Sequence, residues 1–321
     1  MRFEVLGPLR AWVESVEVAL PRRERVLLAV LLLHPGQSVS RQRIVDAIWG
    51  ERPPVDAVGQ VHASVYRLRK RLAEAGGPAG LVVTDSAGYR LRVEPGTVDL
   101  VEFRRLRDSA RAAAAGRQQA QARDEYRAGL GLWRGAALDG VDSEVVRRAA
   151  VVLEEERLQV VEECVEIELS LGRAGEVVAE LTELAGRHPH REGLQRVLML
   201  ALYRAGRQAD ALAAYRRARQ LLHEELGIEP GDELQRLHQA ILTRDPELDL
   251  PAVAPQPGAA EPARVQVPRE LPGDVAGFTG RADALKTLDQ LIGDVSGDAP
   301  APVVISAIAG TAGVGKPALG L

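Results

Sequence analysis

The chain has few of the residues on which several classes of protein depend. Cys164 is the single cysteine among 321 residues, so no disulfide can form within the chain, and its apolar helical surroundings predict a buried thiol. Aromatic residues make up only 3%, and we therefore expect cores built from aliphatic side chains and alanine. No signal peptide and no apolar run of roughly 18 residues occurs. Both absences favour a cytoplasmic protein that makes no use of a membrane.

Signals of catalysis and of metal binding are also scarce. No Ser/His/Asp or paired-carboxylate arrangement stands out, and we expect no enzyme activity. His188 and His190 lie close together, but neither a cysteine nor a third histidine stands at ligand spacing. We therefore expect no metal site.

Charge is distributed unevenly along the chain. The formal net charge is −4, but residues 1–96 carry 14 basic against 10 acidic side chains, and the remainder carries 27 against 35. A basic front and an acidic back are typical of a DNA-binding domain joined to a protein-contacting module.

Residues 57–92 carry the strongest functional signal. Residues 57–72 predict a helix whose apolar side chains fall on one face at the helical step of about 100°. The opposite and flanking positions carry side chains suited to DNA: His62, Ser64, Tyr66, Arg67, Arg69, Lys70 and Arg71. Guanidinium groups can read guanine in the major groove, and Lys, Tyr and Ser can hold phosphates.

A predicted hairpin follows this helix, with its turn at Ser86-Ala87-Gly88. Its side chains Tyr89, Arg90 and Arg92 are candidates for contact with phosphates or with the neighbouring minor groove. A basic helix followed by a basic hairpin predicts a unit that enters a groove and touches the adjacent backbone.

The segment before the helix completes a winged helix-turn-helix over residues 1–96. Three short strands are predicted over residues 2–6, 9–13 and 16–20. Helices are predicted over Arg22–Leu33 and Arg41–Trp49, the second with Ser40 as its N-cap. Together with the basic helix and the hairpin, these elements give an α+β domain.

Residues 97–244 change to helical patterning, so the chain is mainly α. Two similar segments, beginning at Gly175 and Gly206, recur at about the tetratricopeptide spacing and predict stacked helical repeats. The predicted helices are Asp99–Ala115, Arg117–Trp133, Ser143–Leu171, Ala174–Arg187, Arg191–Ala205, Arg207–Leu226 and Asp232–Thr243.

The C-terminal part reads as a linker and an incomplete P-loop segment. Residues 245–273 are rich in proline and predict an extended linker. Within residues 274–321, an apolar strand leads to Gly310, Gly315 and Lys316, which match a phosphate-binding loop. Pro317 stands where the magnesium-binding Ser or Thr should be, and the sequence stops at Leu321 before a nucleotide-binding sheet could be completed. We therefore expect a truncated remnant without ATP hydrolysis, and no cofactor.

Several of these motifs resemble one family. The opening Phe3-Glu-Val-Leu-Gly-Pro-Leu9 and the run Tyr66-Arg-Leu-Arg-Lys-Arg-Leu72 are similar to the OmpR/PhoB-type winged helix, an output domain of two-component phosphorelays, as it occurs in the Streptomyces antibiotic regulatory protein (SARP) family. Residues 98–103, 132–135 and 224–234 resemble landmarks of the bacterial transcriptional activation domain that follows it. Residues 278–281 and the P-loop resemble the start of an NB-ARC ATPase.

The resemblance implies a transcriptional activator of secondary-metabolite genes such as those for antibiotics. It implies binding to direct repeats in double-stranded promoter DNA as a homodimer, and contact with RNA polymerase and its sigma subunit through the loop Gly50–Ala57. An alternative is a nucleotide-responsive signalling scaffold that uses the helical repeats to bind proteins and the P-loop as a sensor. Pro317 argues against this alternative.

Overall fold

The structure is a computed structural model that describes residues 1–249, which belong to one compact unit. The rest of the predicted linker and the segment 274–321, with Gly310, Gly315 and Lys316, lie outside the described residues. No helix within residues 1–249 is long and apolar enough to cross a membrane.

The N-terminal part is a winged helix-turn-helix, as predicted. Two three-stranded antiparallel sheets flank three helices, with strand orders β1-β2-β3 and β4-β6-β5. The strands are β1 (Arg2–Glu4), β2 (Arg10–Val13), β3 (Val16–Glu17), β4 (Ser38–Val39), β5 (Val82–Thr84) and β6 (Tyr89–Leu91), and the helices are α1 (Arg22–Leu33), α2 (Arg41–Trp49) and α3 (Ala57–Glu74). Strand β4 was not predicted, because two residues are too few to show an alternating pattern.

Side-chain caps fix where the second and third helices begin. The Ser40 hydroxyl accepts a hydrogen bond from the Arg43 amide at 3.2 Å, and the Asp56 carboxylate accepts one from the Gly59 amide at 3.0 Å. These bonds satisfy amides that have no partner within the first helical turn. The prediction that Ser40 caps α2 is confirmed.

The remainder is helical, as predicted, and successive helices pack as neighbours. The helices are α4 (Asp99–Ala115), α5 (Gln119–Leu130), α6 (Glu144–Ser170), α7 (Ala174–Arg187), α8 (Glu192–Arg204), α9 (Gln208–Leu221) and α10 (Asp232–Thr243). A π-helical segment, Leu222–Leu226, extends α9, and a 3₁₀ turn spans Pro246–Leu248. The predicted single helix over residues 207–226 therefore changes its hydrogen-bond spacing in its last turn.

Helix α6 joins the two halves of the unit. Its 27 residues span about 40 Å at 1.5 Å per residue. Val146 and Leu153 belong to a core shared with the winged helix, whereas Val165 and Leu169 belong to a second core within the helical array. One helix thus contributes to both cores.

A buried carboxylate joins the first strand to the helical array. Asp99, the first residue of α4, accepts hydrogen bonds from the amides of Val5 at 2.9 Å and Leu6 at 3.1 Å. The guanidinium of Arg134 donates to the same carboxylate. Burial raises the pKa of Asp99 above its usual value, although the two amides and Arg134 favour the ionised form. The raised pKa follows from the burial of the residue, which is only 8% exposed.

Backbone contacts continue this junction. The carbonyls of Leu6 and Val5 accept hydrogen bonds from the amides of Arg134 at 2.7 Å and Leu138 at 2.9 Å. The Ser143 hydroxyl, at the start of α6, donates to the Ala47 carbonyl on α2 at 2.7 Å. The winged helix is therefore attached to the helical array at points far apart in its own sequence, among them the residues after β1 and helix α2.

Replacement of Asp99 by asparagine tests the junction. In Asp99→Asn an amide group replaces one carboxylate oxygen and faces donors, so we expect a loss of about 3 kcal/mol in the free energy of unfolding, measured by urea denaturation. Asp124→Asn is the control, because Asp124 is exposed and, within residues 1–249, pairs only with its neighbour Arg123; it should change stability by less than about 1 kcal/mol. Equal stability of the two variants would contradict the assigned role of Asp99.

Cys164 is fully buried on α6, which confirms the sequence prediction. Burial, with a smaller contribution from the Glu168 carboxylate, raises the pKa of the thiol to about 12. The reactive thiolate is therefore nearly absent at pH 8.

We expect Cys164 to resist iodoacetamide in the native protein throughout pH 7–9. Unfolding in guanidinium should return its pKa to about 8.5 and make alkylation fast and pH-dependent in that range. Mass spectrometry of samples quenched over time measures both rates. Stoichiometric labelling of the native protein within minutes at pH 8 would show that the thiol is accessible.

Candidate nucleic-acid interface

Helix α3 has one buried face and one exposed face. Val61, Val65, Leu68 and Leu72 are all buried in the core shared with α1 and α2, as the helical pattern predicted. The other side carries most of the predicted DNA-binding residues, and most of these are exposed. This face is the candidate interface.

Arg67 is held in place by a buried acid. Its Nε donates to Glu24 Oε1 at 2.6 Å, and its Nη2 donates to the Ser64 hydroxyl at 3.0 Å. The Glu24 side chain is only 4% exposed, whereas that of Arg67 is 45% exposed. One end of the guanidinium is therefore fixed by the protein, and the rest remains accessible.

Arg69 connects α3 to the hairpin. Its Nε donates to the Val82 carbonyl at 2.9 Å, and its Nη2 donates to the Thr84 hydroxyl at 2.8 Å. These bonds align β5 with the helix. Because both bonds run to β5, Arg69 positions the hairpin relative to α3.

Four further predicted residues project from α3. His62, Lys70 and Arg71 are exposed, and the Tyr66 side chain lies 67% exposed. Lys70 Nζ lies 3.7 Å from Glu74 Oε1, one helical turn away. Exposed ion pairs of this kind contribute little to the free energy of folding. The exposed face thus combines cations with an aromatic ring.

Two of the predicted DNA contacts are corrected by burial. Ser64 is 0% exposed and its hydroxyl accepts from Arg67, so it cannot reach a phosphate. Tyr89 is 3% exposed; its ring lies edge-on to His62 and beneath the Arg41 guanidinium. Both residues are buried and contact the side chains of the candidate interface or of its surroundings.

The two hairpin arginines differ in their accessibility. Arg92 is exposed after β6, in agreement with its predicted place at the surface. Arg90 is partly buried, and its Nε makes no hydrogen bond within residues 1–249. Arg92 is the more accessible candidate for a phosphate.

The hairpin turn is fixed by Asp85 and Gly88. The Asp85 carboxylate accepts hydrogen bonds from the Ser38 hydroxyl and from the amides of Ala87 at 3.0 Å and Gly88 at 2.9 Å. The Ser38 bond is the main reason that the pKa of Asp85 is lowered. Gly88 has φ of +154°, and a Cβ there would stand 2.0 Å from the Val39 carbonyl oxygen. The turn therefore requires glycine where it meets β4.

Sequence reasoning missed Glu24 and Arg41 as parts of the interface. A signal for Glu24 was present, because it stands four and seven residues before the fully buried Leu28 and Leu31 and hence shares their face of α1. An acid on an apolar face needs a cationic partner. No such signal existed for Arg41, whose contact with Tyr89 joins residues far apart in sequence.

Metal ligands do not gather at this interface or elsewhere in the described part of the chain. No group of three or more His, Cys, Asp or Glu side chains within residues 1–249 could hold a metal ion. His190 Nε2 instead lies 2.7 Å from Glu225 Oε2.

Two family models match the chain. The model described as "Transcriptional regulatory protein, C terminal" matches residues 15–91, and the "Bacterial transcriptional activator domain" matches residues 98–242. The first range contains the candidate interface, and the second contains helices α4 to α10.

Relatives match over different shares of their length. The regulatory protein AfsR of Streptomyces coelicolor is 41% identical over 323 residues, which cover 99% of this chain and 32% of AfsR. The regulatory protein DnrI of Streptomyces peucetius is 35% identical over 257 residues, which cover 78% of this chain and 94% of DnrI. The chain thus spans about a third of the length of AfsR.

A solved structure has a similar fold. EmbR of Mycobacterium tuberculosis, in complex with a low-affinity phosphopeptide, matches with a TM-score of 0.73 and 36% identity. The match covers 76% of this chain and 65% of the EmbR chain.

Replacement of Gly88 tests the geometry of the hairpin. We expect Gly88→Ala to destabilise the protein by more than about 1 kcal/mol, because the added methyl group meets the β4 backbone at a φ that alanine rarely adopts. Hydrogen exchange should show lost protection in β5 and β6. Ser86→Ala, in the exposed part of the same turn, is the control; protection in Gly88→Ala equal to that of the control would contradict the close approach.

Proposed function

The chain belongs to the SARP family of transcriptional activators, and on this premise we propose that it binds promoter DNA in a sequence-specific manner and activates transcription of secondary-metabolite genes such as those for antibiotics. The observation that carries the proposal is the exposed face of α3, where Tyr66, Lys70 and Arg71 surround the partly anchored Arg67. This face lies beside a hairpin that Arg69 fixes to the same helix.

In the proposed complex α3 lies in the major groove, which is wide enough to admit a helix. Arg67 is the residue proposed to read a base. Its bond to Glu24 limits the orientations of the guanidinium before DNA binds, so less side-chain entropy is lost on binding. Lys70 and Arg71 hold phosphates, and Arg92 of the hairpin touches the backbone beside the groove.

The proposal includes two copies of the chain on direct repeats, and contact with RNA polymerase and its sigma subunit. The candidate polymerase contact is the loop between α2 and α3. Pro53 and Pro54 stiffen this loop, and the Val55 side chain that follows is fully exposed. An apolar side chain held in solvent beside the DNA-binding helix is well placed for a protein partner.

Bacterial promoters lie in the cytoplasm, and the proposal places the protein there. It assigns the chain no catalytic activity, because the relatives that it matches carry the names of regulators. The phosphopeptide belongs to the EmbR structure and is not part of this proposal.

The decisive experiment is DNA binding by the full chain. Selection from a random duplex library, followed by footprinting at several salt concentrations, should yield a repeated motif protected on two successive segments. Binding that is equally weak on every sequence and disappears at physiological salt would refute sequence-specific recognition.

Arg67 and Lys70 should contribute to binding in different ways. Arg67→Ala should weaken binding to the selected site by about 1–3 kcal/mol and relax specificity at one position. Lys70→Ala should weaken binding to all sequences alike and reduce the salt slope by about one. Arg217→Ala, an exposed arginine on α9, is the matched control and should change neither property. If Arg67→Ala leaves the selected motif and the affinity unchanged, Arg67 does not read a base.

A further inference from the structure

A cleft lies where the winged helix meets the helical array, and none of the residues assigned to DNA lines it. Its volume is about 420 Å³, and its walls come from α1, α2, α4 and α6. Small-molecule sites in proteins have volumes of roughly 300–1,000 Å³ and often lie between domains. The cleft therefore has the size and the location of a ligand site.

The floor of the cleft is apolar. Val30 and Leu33 line it from α1, and Val145 and Leu153 line it from α6. Val152 stands at the same place with 58% of its surface exposed. An apolar ligand body would cover this surface and remove it from water.

Arginines are the only charged residues that line the cleft within the described part of the chain. They are Arg43 from α2, Arg104 from α4 and Arg148 from α6, and no Asp or Glu accompanies them. The cleft is thus complementary to a negative charge, although the whole chain has a net charge of −4.

The three arginines differ in whether their guanidinium groups are already paired with carboxylates. Arg104 makes two hydrogen bonds to Glu156, at 2.6 and 3.0 Å, and Arg148 bonds to Glu144 at 3.0 Å. Arg43 bonds through its backbone amide to Ser40, and its guanidinium makes no hydrogen bond or ion pair with any residue between 1 and 249. Arg43 therefore offers donors to a ligand without the loss of an existing bond.

His34, which also lines the cleft, agrees with this electrostatic picture. Burial, together with the positive charges of Arg43 and Arg104, lowers the pKa of its imidazole. A neutral imidazole at pH 7 can donate or accept a hydrogen bond without adding a charge.

We propose that this cleft binds a small amphipathic anion, whose apolar body packs between α1 and α6 and whose single carboxylate, sulfonate or phosphate group bonds to Arg43. A ligand with one negative charge matches the single unpaired guanidinium, and an apolar ligand body matches the apolar floor of the cleft. The proposal is independent of which DNA sequence the protein reads.

The test uses two fluorescent probes that share one aromatic body, added to the full chain. 8-Anilinonaphthalene-1-sulfonate carries a single sulfonate, and N-phenyl-1-naphthylamine is its neutral counterpart. We expect one sulfonate probe per chain, bound at least tenfold more tightly than the neutral probe, and a rise in Tm at saturation.

Two variants locate the site. Arg43→Gln removes the charge but keeps a donor, and Ala149→Trp fills the cleft from α6. Each should weaken sulfonate binding at least tenfold and abolish the rise in Tm, whereas Arg217→Gln, on the surface of α9, should behave as the original chain. The Tm measured without probe checks that each variant folds. If Ala149→Trp does not fold, Arg43→Gln alone tests the location of the site.

Three outcomes would overturn the proposal. They are no saturable binding of the sulfonate probe, equal affinity for both probes, and binding unchanged by Arg43→Gln. Equal affinity would indicate an apolar surface without charge selection, and unchanged binding in Arg43→Gln would place the probe elsewhere on the molecule.

Discussion

The buried carboxylate of Asp99 is the contact on which the arrangement of the whole unit depends. It accepts from the amides of Val5 and Leu6 at the end of β1 and pairs with Arg134 after α5. Three segments that lie far apart in sequence thus meet at one side chain. Without it, two buried amides would lack a partner, and an unsatisfied buried donor is costly. The first strand, the entry to α4 and the segment before α6 are therefore fixed relative to one another.

Polar contacts within the winged helix determine how the candidate interface on α3 is presented. Arg67 bonds to Glu24 and Arg69 bonds to the β5 backbone, so two of the four Lys and Arg residues predicted on α3 take part in the internal structure. Each internal bond removes a donor that DNA could have used, but it also fixes an orientation that would otherwise have to be selected on binding. The exposed cations Lys70 and Arg71 are the residues proposed for phosphates, whose recognition needs less exact geometry.

Local patterns in the sequence predicted the helices well, since periodicity and stop signals act over a few residues. Helix α2 begins after the Ser40 cap and ends at Trp49, as expected. Helix α5 was predicted to reach Trp133 but ends at Leu130, because the Arg134 amide bonds to the Leu6 carbonyl. Contacts of this kind join residues more than a hundred positions apart and leave no local signal. The burial of Tyr89 could have been predicted, because it shares one face of β6 with the apolar Leu91.

In the proposed complex the junction constrains how two copies could meet on DNA. Direct repeats relate two bound chains by a displacement along the duplex, so any contact between them joins unlike surfaces, head to tail. Because the winged helix and the first helices of the array share one core, the orientation of α3 in the proposed complex would also fix the direction in which the array points. Two chains on direct repeats would therefore present their arrays in the same direction, rotated only by the helical twist between the repeats. The spacing of the repeats, and not flexibility within the unit, would then decide whether the arrays touch.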